Sequence, residues 1–192
     1  MRVLIIQGHP DGCAQHFCHA LADAYAEGAR SAGHEVEWVD IGVLDFAFLR
    51  SQEEWKHAVL PPALVDAQAA IARAEHLVIV YPLWLGGMPA ALKGFLEQVM
   101  RPGFAVPADG PNLRAKLLAG RSARVVVTMG MPALVYRWYF LAHGLRLLKR
   151  NILGLIGIAP VRDAIVGSVE NLTRKQRIVW LRRLRTWGRA AV

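Results

Sequence analysis

The chain has 192 residues, 54% of them hydrophobic, and a formal net charge of +8. That length suits one α/β domain with a large core over residues 1–192. No apolar run is long enough to span a membrane, and two cysteines, Cys13 and Cys18, exclude a disulfide framework and fit reduced thiols.

Residues 2–7 read as a first strand; the apolar stretch is too short for a signal segment and lacks a cleavage site, so a cytoplasmic protein is expected. A turn through Gly8-His9-Pro10-Asp11-Gly12 leads into a helix over 16–32, with Phe17, Leu21, Ala24 and Tyr25 inward and Gly33 as the residue after its end. Residues 35–40 alternate Val36 and Trp38 with charges, which marks an edge strand. The stretch 41–62 has no clean period; short helical pieces are expected at Leu44-Asp45-Phe46 and Glu53-Glu54-Trp55. A helix over 64–74 precedes a buried strand, 77–81, which Pro82 should end because it lacks a donor. Pro89 suits the first turn of the next helix, 90–100, and 105–121 reads as a loop. Then come a strand at 124–129, a helix at 133–151, a strand at 158–166, and a last helix starting at Ser168 with Ser168, Glu170 and Asn171 as capping candidates. Five strand–helix alternations predict a doubly wound, three-layer αβα fold with a parallel sheet of order 2-1-3-4-5.

The positive charge is concentrated near the C-terminus, where Arg174, Lys175, Arg177, Arg182, Arg183, Arg185 and Arg189 read as a solvated helix face. No aromatic-interleaved basic motif points to nucleic acid; docking on a membrane surface stays open but is not favoured. The apolar surplus leaves surface for a ligand or a second subunit, and a homodimer is expected. The first loop has the position of a phosphate site, a strand end feeding a helix N-terminus, although it is neither a Walker loop nor G-x-G-x-x-G and could be an ordinary turn. The segment from Val78 to Phe95 places Pro82-Leu83-Trp84-Leu85 and Gly86-Gly87 at a strand's carboxyl end, where open α/β sheets bind ligands. His9, Cys13, His16, Cys18 and His19 form a cluster whose spacing matches no common zinc pattern, so no metal is expected.

Three blocks of the chain resemble the flavodoxin-like NAD(P)H:quinone reductase family. His9-Pro10 with Phe17 and Ala20-Leu21 resembles its first loop and helix. Tyr81-Pro82-Leu83-Trp84 through Gly87-Met88-Pro89-Ala90, Leu92-Lys93-Gly94 and Pro102-Gly103-Phe104-Ala105 resembles its most diagnostic segment. Thr128-Met129-Gly130-Met131-Pro132 with Tyr136 resembles its T-T-G-G-P loop and downstream tyrosine. The first loop is about two residues longer than the family's, His16 and Cys18 stand at its serine and asparagine, and Met129 and Met131 replace a threonine and a glycine.

The resemblance implies FAD, or alternatively FMN, with NAD(P)H as cosubstrate and a ping-pong transfer of two electrons to a quinone or similar small acceptor. It implies cofactor contacts from His9, His16, Phe17 and Cys18 at the phosphates. Pro82, Leu83, Trp84, Leu85, Thr128, Met129, Gly130 and Met131 would meet the ring, with Glu97 near the flavin unless it is a surface glutamate. Tyr136 and His143 are the candidates for proton delivery to the acceptor, with the Tyr136 phenol expected above the ring and His143 open to the alternative of a helix-face histidine. A regulatory flavoprotein subunit of a membrane transport system and a degenerate domain with weak flavin binding are the rival readings.

Overall fold

The computed structural model describes residues 1–108 and 115–192. Five strands form one all-parallel sheet: β1 (Arg2–Gln7), β2 (Glu35–Asp40), β3 (His76–Pro82), β4 (Ser122–Thr128) and β5 (Val161–Val166). Their order is β2-β1-β3-β4-β5, as the alternation of elements predicts. Continuous apolar runs in β1, β3 and β4 suit strands covered on both faces, whereas β2 at the edge keeps charged residues.

Residue parity divides the core. Val3, Ile5, Val78, Val80, Val126 and Val166 face α1 (Phe17–Ser31) and α6 (Arg174–Ala190). Leu4, Ile6, Leu77, Ile79, Val125 and Val127 face the other layer. There α2 (Gln52–His57), α3 (Pro62–Arg73) and α4 (Ala90–Val99) are followed by α5, which starts as His143–Arg146 and continues in π-type turns over Leu147–Leu153. α1 closes with a Schellman pair, Gly33 N–H to Arg30 O at 3.0 Å and His34 N–H to Ala29 O at 3.1 Å, with Gly33 left-handed at φ +79°. Among the described residues, no helix is long and apolar enough to cross a membrane.

Several expected boundaries shift. Pro82 is the last residue of β3, opposite Thr128. Leu83 N–H next to it donates to Thr128 O at 2.7 Å, so strand alternation turns the Pro82 nitrogen towards β1, which has already ended at Gln7. The tight turn after β2 falls at Ile41–Val43 rather than 44–46, because the Asp40 side chain accepts from Gly42 N–H at 2.9 Å. The expected loop at 105–121 includes residues 109–114, which lie outside the described residues.

The helix expected over 133–151 is broken. Val135–Tyr139 winds as a π-type turn, and Leu141 and Ala142 then take left-handed φ of +52° and +49° before α5 begins. A straight helix could not seat Gly144 on the Gly86–Gly87 backbone, where even a Cβ would lie 2.3 Å from Gly86 O. The last helix starts later than Ser168: its cap is Thr173, paired in a capping box with Gln176.

α1 and α6 cross where both lack side chains. A Cβ on Gly28 would stand 2.1 Å from Arg185 O, and one on Gly188 would stand 2.1 Å from Tyr25 O. Because backbone cannot yield as a flexible side chain does, Gly28→Ala should destabilise the fold by about 1–3 kcal/mol, read as a lower denaturant midpoint. A midpoint equal to the parent's would show that the helices can separate freely.

His76 gives a second test. It is 1% exposed at the start of β3, its Nδ1 is 2.7 Å from Ser122 Oγ, and its Nε2 has no partner among the described residues. Burial, with Arg124 and Arg162 nearby, lowers its pKa from 6.5 to about 4. Above 6.5 the ring is neutral in both folded and unfolded chains, so its contribution is complete there. As pH falls from 6.5 towards 4, only the unfolded chain takes the proton, and stability should drop by roughly 3 kcal/mol in all. Denaturant titrations across this range should show a shallower slope for His76→Leu; identical slopes would contradict a neutral buried ring.

Candidate functional site at the carboxyl end of the sheet

The first loop is folded on itself by side chains. The Asp11 carboxylate accepts from Cys13 N–H at 3.0 Å, from Ala14 N–H at 3.2 Å and from His16 Nε2 at 3.0 Å. The His16 bond first, then the two amides, hold that carboxyl down at about 2. Asp11 N–H in turn donates to His9 Nδ1 at 3.1 Å, which leaves the proton of the neutral His9 ring on Nε2. His9 is buried and stacks on His16 with centroids 3.8 Å apart; burial, then the His16 and His19 rings, lower its pKa. The histidines stack and do not converge, and among the described residues no group of three His, Cys, Asp or Glu side chains is placed to hold a metal.

His16 is the cap residue of α1 and its carbonyl receives the amides of His19 and Ala20. The Phe17 and Cys18 N–H groups, in the first turn, have no partner among the described residues. Unpaired first-turn amides with the positive end of a 15-residue helix make an anion site. Cys18 is buried, its thiol 2.9 Å from Thr128 Oγ1, and burial pushes its pKa up to about 11; it packs and is not a thiolate.

The neighbouring loops complete a cleft of about 370 Å³. One wall is His9, His16, Phe17 and Cys18; another is Pro82, Leu83 and Trp84; the floor is Thr128, Met129 and Gly130. After β3 the chain makes a two-residue hairpin, Trp84 and Gly87 exchanging both backbone bonds at 3.0 Å with Leu85 and Gly86 left-handed. Backbone N–H groups of 82–85 and 129–131 were expected to face a ring edge. Pro82 has none, and those of Leu83, Trp84 and Met129 are spent on Thr128, Gly87 and Val166 carbonyls. Leu85, Gly130 and Met131 keep theirs among the described residues. At Gly130 an added Cβ would meet only Glu170 Oε1, at 3.8 Å, so the glycine leaves an open cradle.

Two lining residues, Val169 and Glu170, carried no ligand signal in the sequence. They follow β5 and are hooked onto the β4 loop by Ser168 N–H to Met131 O at 3.0 Å and Val169 N–H to Met129 O at 3.1 Å. Their place beyond a strand's carboxyl end was the available signal.

Five expected site residues do not line the cleft: Leu85 and Met131 only adjoin lining residues in the chain, and three more lie elsewhere. Glu97 is on the exposed side of α4, paired with Lys93 one turn before it, and does not line the cleft. Tyr136 is 1% exposed, and its hydroxyl accepts from Leu145 N–H at 3.1 Å, so the phenol points into the core and not above the cleft. Burial raises its pKa. His143 is exposed at the start of α5, next to Gly144, which presses on the Gly86–Gly87 turn.

Comparison with known proteins agrees with this fold. The flavodoxin-like fold family matches the chain over residues 1–184. A Haemophilus influenzae protein named as an uncharacterized NAD(P)H oxidoreductase is 27% identical over 181 residues, 92% of this chain and 89% of its own. The FMN-dependent NADH:quinone oxidoreductase of Ruegeria pomeroyi is 31% identical over 128 residues, 59% of this chain and 63% of that enzyme. The solved structure of an NAD(P)H:quinone oxidoreductase from Methanothermobacter marburgensis superposes with a TM-score of 0.80 at 28% identity, over 98% of this chain and 96% of that one. With the match running from β1 into α6 and the strand order β2-β1-β3-β4-β5, the chain belongs to the flavodoxin-like fold family, among relatives named as NAD(P)H oxidoreductases and quinone reductases.

Proposed function

We propose that the protein is a flavin-dependent NAD(P)H:quinone oxidoreductase that passes two electrons from NAD(P)H to a quinone or similar small acceptor. The cleft carries this reading, because an anion site at the α1 N-terminus adjoins a slot walled by Pro82, Leu83 and Trp84 whose floor residue Gly130 keeps a free N–H among the described residues. Bound flavin supplies the hydride chemistry. The chain binds and orients it: the Phe17 and Cys18 amides and His9 Nε2–H hold the phosphate, with His16 locking the loop through Asp11. The free N–H of Gly130, with those of Leu85 and Met131 beside the cleft, would be the donors for the polar edge of the ring. Leu83, Trp84 and Met129 flank the ring, and Thr128 anchors the floor through Cys18. Tyr136 positions α5 through Leu145, and with His143 exposed outside the cleft the proton for the acceptor comes from solvent.

The resemblance favours FAD, whereas the Ruegeria relative is named FMN-dependent; the mass of flavin released on denaturation separates the two. Free Cys13 and Cys18 suit a reducing, cytoplasmic setting. The purified protein should carry flavin and oxidise NAD(P)H only when a quinone is added. Gly130→Val puts methyl groups into the open cradle and meets little protein, so it should fold with an unchanged thermal midpoint and lose its flavin. Full flavin content in that variant would move the site elsewhere; flavin without quinone-dependent turnover would favour the regulatory reading.

We further propose a homodimer through the surface beside the cleft. Leu134, Trp138 and Tyr139 are 70%, 73% and 80% exposed, and the break before α5 holds this segment against the hairpin whose Leu85 tip stands free in solvent. Exposed apolar side chains this close together in one short segment suit an interface. Light scattering should give twice the chain mass at micromolar concentration, and Trp138→Asp should give a monomer. A monomeric parent protein would remove the dimer and leave the cleft assignment standing.

A further inference from the structure

On the other flank of the α1 N-terminus lies a second cavity, of about 500 Å³, which shares His16 with the cleft. Its floor is the same sheet face at the edge: Gln7 stands opposite Asp40 in the β1–β2 ladder, with Trp38 two residues before Asp40. Its wall is one stripe of α1, His16, His19, Ala20 and Asp23, at the spacing of successive helical turns. Ala20 is too small to fill the gap between helix and edge strand.

Two donors are buried in side chains that line this space and have no partner among the described residues. Gln7 is 1% exposed; its Oε1 accepts from His9 N–H at 3.2 Å, which fixes the amide, and its Nε2 is buried without a partner. His19 Nδ1 accepts from His16 N–H at 3.2 Å, so the neutral ring carries its proton on Nε2, also buried and unpartnered. Buried donors are seldom left unmatched. The surroundings restrict what could match them. Among the described residues Asp40 uses Oδ1 on Gly42 N–H and has Oδ2 free, Asp23 adds a second carboxylate, and no Lys or Arg lines the cavity. Trp38 offers an indole that is 37% exposed. An aromatic platform, two donors for ring nitrogens and two carboxylates for hydroxyls fit a nucleoside. A carboxylate at the end of the second strand, beside the first βα turn, is also where doubly wound folds hold a ribose 2′-hydroxyl. A 2′-phosphate would meet like charge.

We propose that this cavity is an adenosine subsite selective for a free 2′-hydroxyl, holding the adenosine half of a dinucleotide whose other half enters the cleft. Applied to the cosubstrate, this makes the enzyme prefer NADH to NADPH, and that consequence alone rests on the proposed oxidoreductase function.

The test needs no turnover. ADP-ribose and its 2′-phosphorylated analogue are titrated calorimetrically into the flavin-loaded and flavin-stripped protein. ADP-ribose should bind, and the analogue should bind at least about tenfold more weakly. Asp40→Asn keeps the acceptor for Gly42 N–H and removes the charge, so it should narrow that ratio; Trp38→Ala should weaken both ligands by about 10–100-fold. Binding to the flavin-loaded protein assigns the subsite to the cosubstrate. Binding only after stripping, with FAD held more tightly than FMN by a margin that Trp38→Ala reduces, assigns it to the adenosine of FAD. Absence of binding in both forms, or binding that neither substitution changes, overturns the proposal. A protein that lacks flavin but binds ADP-ribose would overturn the oxidoreductase reading and keep the subsite.

Discussion

Gln7, Val80 and Val126 lie side by side in the parallel ladder, and within two residues of that level β1, β3 and β4 all leave the sheet. Both faces of these strands are covered by helices, so below this level the buried strand side chains are apolar except for His76 and Arg124 near the far end. Polar groups can meet a ligand only where the chain turns away. Gly8 N–H still bonds Val80 O at 2.7 Å, and Leu83 N–H bonds Thr128 O, so the loops leave from a rigid rim. That shared rim puts the α1 N-terminus, the hairpin after β3 and the β4 loop around one space.

The chemistry of that space follows from which polar groups are already spent. Asp11 consumes two loop amides and locks His16, and this shapes the turn while leaving the first-turn amides of α1 free. His9 gives its Nδ1 to the loop and keeps Nε2–H. Burial and neighbouring histidines favour its neutral form, so the site does not begin as a cluster of cations. Its pull on an anion comes from the helix end and directed N–H groups, which bind a phosphate with little reorganisation. The excess of positive charge lies elsewhere, largely on α6, where Arg124 and Arg183 stack on Trp187 and Arg185 pairs with Glu27.

The strand order and the first two layers were legible in the sequence because buried parallel strands are apolar without interruption and edge strands are not. Most lining residues of the cleft were legible for the same reason: each sits just past a strand that could be recognised. What was hidden depends on contacts between distant segments. Periodicity carried 133–151 through as one helix, since Gly144 against Gly86 leaves no mark on either segment alone. The offset of Tyr136 from Thr128 suggested a phenol in the cleft, but the π-type winding rotates it into the core onto Leu145. Ser168 looked like a cap, but its left-handed backbone hooks Val169 and Glu170 over the β4 loop. The second cavity needed Gln7, Asp40 and His19 together, and none of them is unusual by itself.

The central claim is that this rim holds a flavin which exchanges two electrons with NAD(P)H and then with a quinone. Anaerobic addition of NAD(P)H to the flavin-loaded protein tests it most directly, with the visible flavin bands as the signal. One equivalent of the reductant should bleach them, and one equivalent of quinone, added after the nicotinamide is removed, should restore them. Bands that persist in excess NADH and NADPH, or that bleach and do not recover with quinone, would contradict the account.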